Sequence, residues 1–417
     1  MREDFLHFLW RWRRFDAHQL RSSDGQALEI LHPGEPNQHA GPDFFNARIR
    51  LGDTLWAGNV EIHLKASDWL AHRHDTDPAF DNVILHVVLD EDQRLEKFPC
   101  LVLRPRIPPA LLERYLRLEH ERAWAPCEKS YAAVPEIIRL NWLDRLLVER
   151  LEEKTGAVAQ AVEAAGQHWE EAFYRTLARN FGLKLNAEPF GALARNLRLQ
   201  ILSKHRNNLF QLEALLFGQA GLLDADTADD YPRALIKEYR FLQQKYQLAP
   251  LPPGQWKFFR LRPSGFPTVR LAQFAALLHQ SPQLFSRVLE ARNTAETEQV
   301  FQAGVSDYWL THFRFDKSSV RRAKPLSGEF VHLLLINTVA PFLFHYGRAK
   351  GRADFQDRAL QLLEDLPPEA NTVVDAWAAR GQDARTAAQT QALLHLKSHY
   401  CDAKRCLECA IGNAILR

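Results

Sequence analysis

Asp43 follows a proline in Gly41-Pro42-Asp43-Phe44, and Glu61, His63 and Lys65 occupy alternate positions of Gly58-Asn-Val-Glu-Ile-His-Leu-Lys65. Side chains alternate along a strand with a period of two, so all three share one face. If that strand pairs with the one beginning after Asp43, two carboxylates converge. Two carboxylates and a strand carbonyl suit Mg²⁺ or Mn²⁺, which prefer oxygen ligands. His63 or Lys65 would then orient a water or stabilise charge developing on a phosphate. The same residues also suit the polar face of a half-exposed sheet, and Pro-Asp is a common turn dipeptide.

The histidines offer a rival chemistry. His63, His72, His74 and His86, with Asp75 and Asp77, provide ligands for zinc or iron. That reading requires His72 and His74 to converge with His63, and a strand through His72 and His74 would point both rings one way. His86, inside the apolar run Val83–Leu89, reads as a hydrogen-bonded core residue. His39, in the loop before Gly41, is a candidate substrate contact. A second cluster closes the chain, as Cys401, Cys406 and Cys409. Cys-x2-Cys presents two thiolates to one ion from a single turn. Cys127 is the expected fourth ligand and His399 the alternative, while Cys100 reads as core. Zinc and a [4Fe–4S] cluster both suit four cysteines; a group of free thiols is the other possibility. A link through Cys127 would tie the chain end to the head–body junction, which points to a structural role.

A β-rich head and a helical body must position these groups. The expected fold is α+β, with a small mixed sheet over residues 1–110 and an all-α region over 111–417, divided near 247–254 and carrying the cysteines at 401–409. A first helix is expected over Glu3–Leu20, with Phe5, Leu9, Trp12 and Phe15 forming an apolar stripe. Strands follow at Ala27–Leu31, Phe44–Leu51, Trp56–Lys65, Asn82–Leu89 and Cys100–Leu103. The connector Pro105–Pro109 ends the head. Amphipathic helices then run from Asn141 to His399, interrupted by the proline-rich loop Pro250–Pro253. Five cysteines in 417 residues make no disulfide framework and suit a reducing compartment. No signal peptide and no uninterrupted apolar span is evident, so a cytoplasmic protein without membrane contact is expected. The oligomeric state is left open.

Net charge is only +2, and residues 1–126 hold 16 basic against 20 acidic residues, which leaves the remainder net basic. A polyanion such as DNA or RNA would therefore be gripped by the body. Lys204 and Arg206 form one basic patch there, and Lys257, Arg260, Arg262 and Arg270, interleaved with aromatic rings, form another that suits phosphates and stacked bases. The alternative is that the rings pack between helices while the arginines pair with acids. Asn337 and Arg348 are further candidates.

The order helix, strand, strand opening at Pro42-Asp43, strand bearing Glu61-Ile62-His63, then a last strand resembles the core of the PD-(D/E)xK nuclease superfamily. His63 stands where that pattern has lysine, Lys65 lies one pleat further, and the intervening helix has only Ser67–Asp81 to form in. The resemblance implies a metal-dependent nuclease, or a nuclease-derived nucleic-acid-binding protein, acting on phosphodiester bonds. Asp43 and Glu61 would hold Mg²⁺ or Mn²⁺, with His63 or Lys65 assisting. Some iron–sulfur exonucleases of that superfamily are similar in the layout of widely separated cysteines, though their spacings differ. Gly41–Phe44, Gly58–His63, the Trp142–Leu151 helix, Leu261–Pro267 and the terminal cysteines together resemble a bacterial family of unknown function, nearly end to end. The alternative function is a non-catalytic scaffold with a degenerate head and a structural zinc or iron–sulfur site. Its mark would be a buried pair between Lys65 and Asp43 or Glu61.

Overall fold

Phe5, Leu6, Phe8, Leu9 and Trp10 are buried by the first helix, α1 (Glu3–Trp12). It stops well short of Leu20. Arg13 adopts a left-handed φ of 50°, and its N–H bonds back into the last turn of α1, so the chain leaves the helix there. Trp12, expected in the apolar stripe, is instead 48% exposed.

The computed structural model describes every residue except Gln38, Pro253 and Pro282. Pro253, the end of the expected proline-rich divider, therefore lies outside the described residues. The chain falls into two units: Met1–Trp142 with Leu396–Arg417, and Leu143–His395. This differs from a head of 110 residues. The connector, α3 (Pro109–His120) and the terminal cysteine segment all join the first unit.

In that unit β1 (Leu28–His32), β3 (Phe44–Leu51), β4 (Thr54–Lys65), β5 (Val83–Asp90) and β6 (Cys100–Val102) form one mixed sheet in that order, with the two-residue β2 (Glu35–Pro36) also on β3. β1, β3 and β4 are antiparallel, whereas β4, β5 and β6 run parallel. β5 reads VILHVVLD and is buried from Val83 to Leu89, as a parallel strand covered on both faces requires. Between β4 and β5 lie a four-residue helix, α2 (Asp68–Ala71), and a 3-10 turn, Pro78–Phe80; Trp69 of α2 packs with Phe80, Val83 and Phe98.

One irregularity decides the site. Ala47 lies opposite Gly58, but Phe44 lies opposite Val60, so β3 holds one extra residue and Asn46 has a φ of 57°. Without this bulge Asp43 would stand level with Ile62, on the face away from Glu61. The extra residue shifts it level with Glu61 and turns it to the same face.

The second unit is helical apart from the small hairpin β7 (His312–Arg314) and β8 (Lys317–Ser318). Its helices pack closely: a Cβ on Gly218 would lie 2.1 Å from the Tyr239 ring, so helices Leu209–Gln219 and Asp230–Tyr246 meet at a glycine. The apolar run around Val331–Phe344 continues through Pro341 as part of a helical stretch, Gly328–Lys350. By length and composition this stretch could cross a membrane, but 72% of its apolar window is buried in the protein, as in a core helix.

Glu213 is fully buried in this unit and accepts hydrogen bonds from the Tyr231 hydroxyl and from Trp309 Nε1 at 3.3 Å. Burial pushes its carboxyl up to about 7. The folded pKa lies above the unfolded value, so this group's contribution is fully present below the ordinary carboxylate range and is lost as pH rises toward 7. A shift of this size corresponds to on the order of 3 kcal/mol. Glu213→Gln is therefore expected to flatten the stability profile. Urea midpoints at acid and mildly alkaline pH would show the variant gaining on wild type as pH rises, and a constant gap would refute the assignment.

Candidate metal centre and adjoining cleft

Glu61 and His63 project from one face of β4, at 5% and 1% exposure. His86, on β5, lies level with Glu61 in the parallel pairing. His72 and His74 reach the same place by a turn rather than by the expected strand. At the end of α2, Arg73 takes a left-handed φ of 62°, its N–H bonds to Leu70 O at 3.0 Å, and the His74 N–H bonds to Trp69 O at 3.1 Å. This is a Schellman closure with arginine in the place usually held by glycine. It folds His72 and His74 back over His63, with the His74 ring stacked on Phe80 at 3.8 Å.

The ligand atoms then converge. His72 Nδ1 is 3.2 Å from His63 Nε2, and Glu61 Oε1 is 3.5 Å from His63 Nε2 and 3.3 Å from His74 Nε2. Each of the three imidazoles offers a nitrogen within 4.8 Å of those of the other two. A tetrahedral ion with bonds of about 2.0–2.1 Å holds its ligands about 3.3–3.4 Å apart, and the three spacings around His63 Nε2 and His74 Nε2 are of that size, while the mutually close group is the three histidines without Glu61. Protonation supports the same use. Burial, and then the neighbouring imidazoles, push His63 down to about 2, so its ring is neutral and has a lone pair to donate. Burial, and then the Asp43 charge, push Glu61 up to about 9. A buried carboxylate beside the neutral His63 ring needs a cation to stay ionised.

Behind His63, its Nδ1 lies 2.8 Å from His86 Nε2. If Nε2 of His63 is a ligand, Nδ1 carries the proton and donates to His86, which fixes the ring's orientation. The core reading of His86 holds, with that added role. Its own Nδ1 has no hydrogen-bond partner.

Asp43 stands beside this cluster. Its Oδ2 accepts from the Ile62 N–H at 2.9 Å, and its own N–H donates to Glu61 Oε2 at 3.1 Å. The two carboxylates thus share a face and adjoin, as expected. His7 Nε2, from α1, lies 3.3 Å from Asp43 Oδ2. Burial opposes its protonation, yet the contact with Asp43 outweighs it and raises the pKa above the ordinary histidine value. Sequence reasoning missed His7 because α1 was read only for its apolar stripe; the i,i+4 pair Glu3 and His7 was the available signal.

Beyond Asp43 and His7 opens a cleft of about 330 Å³, lined among others by Arg2, Arg11, Trp12, Lys404 and Arg405. Asp4, Asp43 and Glu408 line it too; Arg2 pairs with Asp4 and Arg405 with Glu408, so the cleft is of mixed charge.

Several expected residues stand elsewhere. Lys65 is exposed one pleat beyond the cluster, where its N–H bonds to Asp68. It pairs with neither Asp43 nor Glu61 among the described ion pairs, so the buried pair expected of a degenerate head is not formed. Asp75 and Asp77 are exposed, and Asp77 caps the Ala79 N–H instead. His39 is exposed in its loop. In the second unit Lys204, Arg206, Lys257, Arg260 and Arg262 are exposed. Arg314, on β7, stacks on Phe258 and Phe266, which joins the hairpin to the Lys257–Arg262 loop. Arg270 is a correction: it lies 3.5 Å over the Phe330 ring and bonds Gln273, and burial lowers its pKa to about 10, so it serves the core.

A family described as Protein of unknown function (DUF2851) matches residues 3–372 of the 417. The chain belongs to this family. No curated protein and no solved structure matches it. The DUF2851 match spans Asp43, the histidine–glutamate cluster and Cys127. It stops before Cys401, Cys406 and Cys409, so the resemblance expected of the terminal cysteines is not part of it.

Proposed function

We propose that the first unit is a metal-dependent phosphodiesterase acting on nucleic acid, with a divalent transition-metal ion held by His63, His72, His74 and Glu61. The observation that carries this reading is the convergence of the three imidazoles beside Asp43, with Glu61 Oε1 3.5 Å from His63 Nε2 and 3.3 Å from His74 Nε2. Three imidazoles favour Zn²⁺, Mn²⁺ or Fe²⁺ over Mg²⁺, which prefers an all-oxygen shell. The bound ion would supply Lewis acidity toward a phosphoryl oxygen.

The chain's own residues supply the rest. His7, 3.3 Å from Asp43 and raised in basicity, would take the proton of an attacking water. Arg11 would hold a phosphate, joined by Arg2 and Arg405 if the phosphate displaces their partners Asp4 and Glu408, since Arg guanidinium groups match phosphate geometry closely. Trp12, half exposed beside Arg11, offers a face on which an unpaired base can stack, which favours single-stranded substrates.

Labelled single- and double-stranded DNA and RNA, incubated with Mn²⁺, Zn²⁺ or Mg²⁺, test the reading. Cleavage is expected with Mn²⁺ or Zn²⁺, weaker with Mg²⁺, fastest on single strands, and abolished by a chelator. No cleavage of any of these substrates with any of these ions would sink it.

A further inference from the structure

Cys127, Cys401, Cys406 and Cys409 all lie in the first unit and are unbonded to one another as disulfides. Three are buried, and Cys406 is partly so. Cys127 sits in the loop after α3, Cys401 ends the helical segment Leu396–Cys401, and Cys409 caps the last helix, Ala410–Leu416. Cys127 is far in sequence from the other three, yet all four lie close enough to act on one another electrostatically. Cys406 and Cys409 act electrostatically on Cys127, and Cys127, Cys406 and Cys409 act on Cys401. Gly412 makes the approach possible, since a Cβ there would lie 2.1 Å from the Cys406 carbonyl oxygen.

The spacing separates the two candidate occupants. A single tetrahedral zinc, with Zn–S bonds of about 2.3 Å, draws its sulfurs to about 3.8 Å of one another. Among the described groups in which three ligand atoms lie within 4.8 Å, none contains a cysteine. No three of the thiols therefore stand at the spacing that one zinc ion requires. An iron–sulfur cubane has the larger body required, because each cysteine binds a different corner iron. Charges of both signs lie nearby: Glu119, Lys404 and Arg2 act on Cys406, Lys397 on Cys401 and Glu128 on Cys127.

What the cluster would hold is equally specific. Between Cys401 and Cys409 no residue is buried, and Lys404 has a left-handed φ of 53°. A segment with so little apolar contact is not fixed by packing. Yet Lys404, Arg405, Leu407 and Glu408 form one wall of the cleft beside His7 and Asp43. The geometry points to a [4Fe–4S] cluster bound by Cys127, Cys401, Cys406 and Cys409 that fixes residues 402–408 as the wall of the substrate cleft. Assembly replaces four S–H bonds by four Fe–S bonds and releases the protons, with no redox step at the substrate. Only the substrate part of this inference rests on the phosphodiesterase reading.

The full chain, purified without oxygen, provides the test. About four irons and four acid-labile sulfides per chain, with a broad visible absorption, are expected. Stoichiometric zinc without sulfide, or no metal at all, would overturn the assignment. Cys406→Ser should lose the absorption while Cys100→Ser keeps it. In Cys406→Ser, trypsin should cut after Lys404 or Arg405 at least tenfold faster than in wild type, and unchanged cutting would refute the positioning role. If wild type cleaves nucleic acid, the same variant should raise KM more than it lowers kcat. Absent cleavage with iron and sulfide present would remove the phosphodiesterase and leave the cluster standing.

Discussion

His63→Ala is expected to abolish tight binding of Mn²⁺ or Zn²⁺ at the histidine–glutamate cluster and to slow cleavage by on the order of a thousandfold, since a Lewis-acid ion contributes several kcal/mol to such a reaction. His63 is the central ligand, because both His72 and Glu61 reach its Nε2. Glu61→Gln should lose most of the activity as well, by removing the one negative ligand. His86→Ala, which removes only the ring behind His63, should cost roughly 10–100-fold in metal affinity. Lys65→Ala should change neither affinity nor rate, because that side chain stands outside the site. Titration calorimetry on metal-depleted protein, paired with cleavage rates, checks all four. Undiminished affinity in His63→Ala would remove the proposed centre.

His7→Gln should lower kcat by about a hundredfold while leaving metal content intact, the signature of a lost general base rather than a lost ligand. The sign of the pH dependence follows from the contact with Asp43. That carboxylate raises the His7 pKa, so the unprotonated form needed to accept a proton is gained above the ordinary histidine value. Wild-type activity should therefore climb with pH through a step lying higher than that of a free histidine. In His7→Gln the contribution of that step disappears. Metal content that falls together with activity would instead make His7 a ligand, and an unaltered kcat would leave the water without this base.

Much of the site was legible because its signals are local. The Glu61–His63 row follows from period-two alternation, and β5 from an unbroken apolar run flanked by turn residues. Cys401, Cys406 and Cys409 announce themselves by spacing alone. Pro42-Asp43 was correctly paired with Glu61, although alternation through an unbulged β3 would have put Asp43 on the opposite face. The match with a nuclease-type order of elements led first to oxygen ligands and Mg²⁺. The assembled site gives greater weight to imidazole.

The sequence by itself thus determined the order of a strand-rich segment before a helical one, and which residues are candidates for metal-binding chemistry. Tertiary structure decided which of them meet. The bulge at Asn46 sets the parity of Asp43, and nothing in a strand's hydrophobic pattern marks where one extra residue will be accommodated. The left-handed Arg73 brings His72 and His74 over His63, a conformation that an arginine does not advertise. His7 and the cleft cations come from α1 and from a segment almost 400 residues later. The first unit closes only when Leu396–Arg417 returns to it. Local periodicity reports on neighbours along the chain, whereas convergence of distant segments depends on how buried surfaces pack, and single residues do not encode that separately.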